Sequence, residues 1–148
     1  MPNNKKVIPF PQSGFWTFYD WVDGDGSNPI EDWVKDLSPE ARDKMNSLLK
    51  HDRKTRLVKD WLSFRHKMTK TKKLANEGIC ELGFTADKRE HRLLVKFDGK
   101  LQVVIICGCY HKGDQWTPRG ALNTTLERAR ALSQGKARRH ERKIEEDF

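Results

Sequence analysis

The stretch "GICELGFTADKREHRLLVKFDGKLQVVIICGCY" (78–110) decides the fold of this 148-residue chain. It contains three apolar runs separated by short polar turns: 78–85, 91–97 and 101–110. Such runs are typical of consecutive antiparallel strands, and Asp98-Gly99 is a strong signal for a two-residue hairpin between the last two. The run from Val103 to Ile106 shows no polar alternation, which predicts a central strand covered on both faces.

Two helices are predicted before these strands. Asn28 is placed to cap a helix over 28–37, and Ser38 is placed to cap a second helix over 38–50. Each cap is followed by a proline, which fits the first turn of a helix. Both segments carry one apolar stripe, so we expect them to form a helical hairpin packed on the sheet.

An aromatic-rich strand at 15–22 opens the pattern, and a helix over 117–135, capped by Thr117, closes it. The order strand, two helices, three antiparallel strands, helix predicts an α+β domain built on one small, twisted, mainly antiparallel sheet. The expected divisions are a flexible tail over 1–14, one domain over 15–135, and a charged extension over 136–148. That extension has no clear core face and is interpreted as frayed helix.

Net charge points to a polyanion as partner. The chain has a formal net charge of +8, and basic domains usually bind nucleic acid or an anionic membrane. Residues 1–37 hold three lysines against six acidic residues, whereas the remainder holds 26 basic and 15 acidic residues, a net of +11. No apolar run reaches the length of a membrane span or a signal peptide, so we expect a cytosolic protein.

Two further features leave alternatives open. Residues 50–73 hold ten Lys or Arg, either as a solvated helix face followed by a lysine-rich loop or as a surface that tracks phosphates. Cys107, Cys109 and His111 alternate, so on a strand they share one face and could join Cys80 in a zinc site. No second paired-ligand motif supports zinc, and small buried cysteines are common.

Polar side chains converge where the predicted hairpin opens. Arg92 enters one strand while His111 and Lys112 leave the next, and antiparallel pairing puts these ends side by side. A cleavage of RNA by its own 2′-OH needs a base, an acid and cations on the phosphoryl oxygens, but no metal. Histidine and arginine supply these roles. Alternatively, His111 is an ordinary surface histidine and Arg92 pairs with a nearby glutamate such as Glu81 or Glu90.

The order and spacing of several pieces resemble the RelE superfamily, bacterial toxins of type II toxin–antitoxin modules. Over residues 15–134 the matching pieces are the opening strand and helices, "KKLANEGICELGF", "EHRLLVKF" and "YHKGDQWTP". The phage-associated, HigB-like branch is the most similar, with YoeB-like features. The resemblance implies a RelE-like fold and a ribosome-dependent mRNA endonuclease that cuts mRNA in the 30S A site. It also implies a cognate helix-turn-helix antitoxin as partner and no cofactor.

The resemblance also implies roles for matching positions. Arg92 matches the arginine that contacts the scissile phosphate, His111 matches a general acid or base, and Lys112 matches a basic or tyrosine position beside it. The further residues expected to bind RNA are Arg89, His91, Tyr110, Arg119, Lys70, Lys72 and Lys73. Gly83 departs from the pattern, since an arginine usually follows the Glu-Leu pair there. No general base is matched, and Glu81 and the lysines at 70, 72 and 73 are the candidates.

The departure at Gly83 motivates a second hypothesis from a different class. A non-catalytic member, encoded by a phage or its host, would keep the fold and the basic face and bind RNA or a protein without cleaving.

Overall fold

The computed structural model describes residues 15–67, 71–113 and 115–144. These residues form one sheet with helices on it. The elements in chain order are β1 (Thr17–Val22), α1 (Pro29–Lys35), α2 (Pro39–Arg53), β2 (Phe64–Lys67), α3 (Lys72–Asn76), β3 (Ile79–Ala86), β4 (Arg89–Phe97), β5 (Gln102–Lys112), β6 (Gln115–Thr117), α4 (Ala121–Ser133) and β7 (Arg138–Glu141). The predicted tail, 1–14, lies outside the described residues.

The sheet is larger than the sequence predicts, and it is mixed. Its order is β2-β3-β4-β5-β1-β7, with β6 paired to β5, which makes seven strands in the described residues. The antiparallel run β3-β4-β5 is confirmed, as is the α+β class. The arrangement differs from the predicted RelE-like layout, because β1 runs parallel to β5 in the middle of the sheet and extra strands flank the core.

Both predicted N-terminal helix caps are confirmed. The side chain of Asn28 accepts a hydrogen bond from the Glu31 amide at 2.9 Å, and Ser38 Oγ accepts one from the Ala41 amide at 3.0 Å. These bonds satisfy amides that have no partner within the helix.

The predicted start of the last helix is wrong. Thr117 belongs to β6 and lies opposite Tyr110, so α4 begins only at Ala121. Gly120 precedes α4 with φ of +83°, in the left-handed region that favours glycine. Thr117, which was predicted to cap the helix, therefore belongs to the short β5–β6 hairpin instead.

Two strands were missed because their sequences are dominated by charge. β2 lies within the basic segment 50–73 and pairs with β3. β7 lies within the segment predicted as a frayed helical extension and pairs antiparallel with β1. Just beyond β7, Arg142 donates to both carboxylate oxygens of the buried Asp20, at 2.7 and 2.9 Å, which anchors this part of the chain.

The tight hairpin lies at a different turn from the predicted one. Asp98-Gly99 belongs to a longer loop closed by the Asp98 amide and the Gln102 carbonyl. The two-residue turn is Asp87-Lys88, where φ is +53° and +60°. The N-terminus of α2 supports this strained turn, since Glu40 accepts from the Asp87 amide at 3.1 Å.

The two faces of the sheet are covered by different helices. On one face the indole of Trp33 from α1 lies directly against Gly108, where a Cβ atom would come within 2.3 Å of the ring. On the other face Ser133 of α4 accepts from Lys96 at 3.0 Å. The strand β5 is buried from Val103 to Cys109, as its unbroken apolar run predicts. Among the described residues, no helix is long and apolar enough to cross a membrane.

Candidate nucleic-acid interface

A groove opens where β4 begins and β5 ends, and we call it the strand-end groove. Its volume is about 680 Å³. The residues that line it are Asp87, Lys88, Arg89, Glu90, Tyr110, His111, Lys112, Gly113 and Thr117. Four of the predicted site residues, Arg89, Tyr110, His111 and Lys112, therefore meet here, because the β4–β5 register places Glu90 opposite His111.

The groove carries more positive than negative charge. Lys88, Arg89 and Lys112 are exposed cations at its rim, against the carboxylates of Asp87 and Glu90. A hydrogen bond from the Thr85 hydroxyl at 2.5 Å, with a smaller contribution from Arg92, holds the pKa of Glu90 below its usual range. Lys88 was not singled out in the sequence, where it reads as one more surface lysine at a turn.

His111 has a defined position in the groove. Its ring lies 4.4 Å from the indole of Trp116 across the β5–β6 hairpin. Because Arg92 pairs with Cys109, two positions before His111, Arg92 and His111 lie on the same face of the sheet as diagonal neighbours. Such neighbours have Cα atoms roughly 7–8 Å apart. Long side chains at these two positions can therefore reach one phosphate.

Tyr110 and Lys112 alternate with His111 and so leave β5 on the opposite side. Tyr110 packs against Trp33, and the guanidinium of Arg89 lies 5.1 Å from the centre of its ring. Lys112 is exposed. The ends of β4 and β5 thus lie side by side as predicted, and His111 and Lys112 both line the groove. Arg92 is not among the residues that line it.

His91 is a core residue, and its prediction as an RNA-binding residue is wrong. Its ring is 1% exposed, stacks on Phe84 at 4.8 Å and lies edge-on to Tyr110. Burial lowers its pKa, because the charged imidazolium would lose its hydration. The alternation of β4 turns this side chain toward α1 and away from solvent.

Arg92 makes the glutamate contacts that the sequence left as an alternative. Its Nε donates to Glu81 Oε1 at 3.1 Å and its Nη1 donates to Glu90 Oε1 at 3.2 Å. The side chain is 12% exposed, and that of Glu81 is 3% exposed. A phosphate that binds Arg92 must therefore share it with two carboxylates or displace Glu90.

Two candidate functional side chains, Arg65 and His66, were missed by the sequence reasoning. His66 Nε2 donates to the other oxygen of Glu81 at 2.6 Å, and the His66 side chain is 56% exposed. Arg65 lies beside it, over Gly83, where an added Cβ would come within 2.8 Å of its Nε and 2.7 Å of Arg92 Nη1. We call Arg65, His66, Glu81 and Arg92 the Glu81 cluster. Recognising "FRHK" as a strand paired with "ICEL" would have found it.

The remaining predicted RNA-binding residues lie apart from the strand-end groove. Lys72 and Lys73 are exposed on α3. Arg119 is exposed in a separate hollow beside Trp116 and Thr117. Lys70 lies outside the described residues.

The cysteines do not form the hypothesised zinc site in this structure. Cys80, Cys107 and Cys109 are buried thiols that form no disulfide, and burial raises the pKa of Cys107 and Cys109, which opposes the thiolate that a metal needs. Cys80 alternates with Glu81 on β3 and so faces the other side of the sheet. Within 15–67, 71–113 and 115–144 there is no group of three or more potential metal ligands.

Comparisons with protein-family models, with curated proteins and with solved structures found no significant match to this chain.

Proposed function

We propose that this protein is a toxin of a type II toxin–antitoxin module, an endoribonuclease that cleaves mRNA in the ribosomal A site. The observation that carries the proposal is the strand-end groove, which His111 and three exposed cations line together, with Arg92 diagonally across from His111 on the next strand. The resemblance to the RelE superfamily places a phosphate-binding arginine and an acid–base histidine at these two positions.

In this reaction the 2′-oxygen of one nucleotide attacks the adjacent phosphorus and gives its proton to a base. A 2′,3′-cyclic phosphate forms, the bond from phosphorus to the 5′-oxygen breaks, and that oxygen leaves with a proton from protonated His111. Lys112 and Arg89 bind the flanking phosphates, since cations on the backbone position a strand without reading its sequence. Arg92 stabilises the charge that grows on the phosphoryl oxygens.

Primer extension on a defined mRNA in a bacterial cell-free translation reaction tests the proposal. The wild-type chain should produce cuts that require translation, and His111→Ala should reduce them by about 10²–10⁴-fold, as expected when a general acid is lost. His140→Ala is the matched control, because His140 is an exposed histidine on β7, two strands away from β5, which carries His111. Lys100→Ala, at the opposite end of β5, controls for Lys112→Ala.

A second candidate function is RNA binding without cleavage. The contacts of Arg92 with Glu81 and Glu90 favour it, since they neutralise the one arginine that the family pattern places on the scissile phosphate. Intact mRNA in the presence of folded protein, together with salt-dependent binding that Lys112→Ala weakens, would support this candidate and exclude the nuclease.

A further inference from the structure

We infer that His66 is the general base of this reaction, that Glu81 is its positioning residue and that Arg65 binds the scissile phosphate beside Arg92. This inference rests on the proposed cleavage of RNA, and it supplies the proton acceptor for which the resemblance offered no match. Four features of the Glu81 cluster carry it.

The first feature is the pairing of an exposed imidazole with a buried carboxylate. Glu81 is 3% exposed and receives His66 Nε2 at 2.6 Å on one oxygen and Arg92 Nε at 3.1 Å on the other. A proton on Nε2 leaves Nδ1 of the neutral ring as a proton acceptor. In serine hydrolases a carboxylate likewise fixes the tautomer of the general base, although there it binds the other ring nitrogen.

The second feature is a β-bulge that turns two consecutive side chains to one face. Phe64 pairs with Leu82 and His66 pairs with Glu81, so Arg65 is the extra residue on β2. In a regular strand Arg65 and His66 would point to opposite faces. The bulge instead brings both to the face that carries Arg92, and bulges near active sites commonly redirect a side chain in this way.

The third feature is Gly83, which leaves room for both arginines. A Cβ atom there would come within 2.7 Å of Arg92 Nη1 and 2.8 Å of Arg65 Nε. The absence of a side chain at 83 is therefore what allows two guanidinium groups to approach each other over the sheet. Arg65, from the neighbouring strand, occupies the space over position 83, where the family pattern expects an arginine side chain.

The fourth feature is that the phosphate would have one histidine on each side, one to accept a proton and one to donate a proton. Glu81 joins His66 to Arg92, so a phosphate held by Arg65 and Arg92 has His66 on its β2 side and His111 on its β5 side. His66 Nδ1 takes the proton from the 2′-hydroxyl as its oxygen bonds to phosphorus. The 5′-oxygen leaves with the proton of His111, so each histidine ends in the opposite protonation state and solvent resets them.

The charged groups that face His66 are Glu81 on β3, Arg92 and Glu90 on β4, and Arg65 on its own strand. The reaction needs a neutral base and a protonated acid together, so the cleavage rate should fall at both the acid and the alkaline end of the pH range.

The test is single-turnover cleavage on purified ribosomes programmed with one mRNA, measured from pH 6.0 to 8.5. His66→Gln should slow cleavage by about 10²–10⁴-fold, the usual contribution of a positioned base, and should lose the fall in rate at the acid end of the pH profile. Added imidazole should restore part of the activity of His66→Ala. His140→Gln is the matched control and should behave as the wild type. Equal melting temperatures of all variants would show that the losses are not unfolding.

Glu81→Gln separates positioning from structure. It should lower the rate and shift the acid side of the pH profile, because an amide keeps the shape but no longer stabilises the imidazolium that forms. A rate for His66→Gln within about threefold of the wild type, while His111→Ala is inactive, would overturn the assignment of His66 and leave the proposed function standing. No cleavage by the wild-type chain would overturn both.

Discussion

A methyl group added at Gly108 should destabilise the fold by pushing away Trp33. A Cβ atom at this position would lie 2.3 Å from two ring carbons of Trp33 and 2.8 Å from a third. Carbon atoms pack at about 3.5–4.0 Å, so the indole must retreat by more than an ångström. It packs against both His91 and Tyr110, with ring centres 6.3 and 6.2 Å away, so a retreat from Gly108 also disturbs these two contacts.

The expected cost of Gly108→Ala follows from overpacking. Forcing extra volume into a packed site costs about 1–3 kcal/mol. For a domain near 150 residues each kcal/mol lowers the melting temperature by about 2–4 °C, so a mid-range cost of about 2 kcal/mol predicts a loss of about 4–8 °C. Thermal unfolding followed by circular dichroism, with urea titration in parallel, measures it.

Gly83→Ala is the matched control, since it adds the same atom to a strand of the same sheet. The atoms in its way are the ends of two arginine side chains, which can swing aside, so its melting temperature should change by less than about 2 °C. Its cleavage activity should fall, because the arginines no longer meet over the sheet. A double-mutant cycle with Trp33→Ala should recover most of the cost of Gly108→Ala. A loss below about 2 °C at Gly108 would refute the reasoning.

Three further outcomes are expected from other parts of the molecule. Arg142→Gln should cost about 3–5 kcal/mol in urea unfolding, because it leaves Asp20 buried without its cation; Arg138→Gln on the same exposed edge should cost little, and equal effects would contradict the ion-pair argument. Because the pKa of His91 is lowered in the folded state, the unfolded chain binds a proton first as the pH falls. The stability due to a neutral His91 is therefore complete above the ordinary pKa of 6.5 and falls as the pH drops below it. His91→Phe should reduce this fall in melting temperature between about pH 7.5 and 5.5, and an unchanged slope would disprove the argument. The three buried thiols should react with a disulfide reagent only after denaturation, and rapid labelling of the native chain would be incompatible with their burial.

The parts of the fold with strong local signals could be predicted from the sequence. Caps at Asn28 and Ser38 act within four residues, and the apolar run ending at Cys109 needs no partner to be recognised as a buried strand. The strands β2 and β7 could not be recognised, because "FRHK" and "RRHE" are short and charged and exist through pairing with distant strands. Their pairing is a consequence of tertiary structure, which no local pattern records.

The candidate site likewise contains parts that the sequence predicts and parts that it does not. The position of His111 at the end of β5 follows from the end of an apolar run, and its neighbour Arg92 follows from antiparallel register. The exclusion of His91 from solvent depends on Trp33 and Phe84, far away in sequence. The contact of His66 with Glu81 depends on a bulge in a strand that no propensity signals, so this contact is visible only in three dimensions.

The place of β1 in the sheet has a consequence for how the chain acquires its structure during synthesis. Thr17 to Asp20 pair with residues 102–105 on one side, and Tyr19 to Val22 pair with 138–141 on the other. β1 is therefore made long before either of its partners, and contacts so distant in sequence slow folding. A chain that has not yet reached β7 cannot complete the sheet that holds the strand-end groove, so any activity of that groove would begin only after both partner strands have been made.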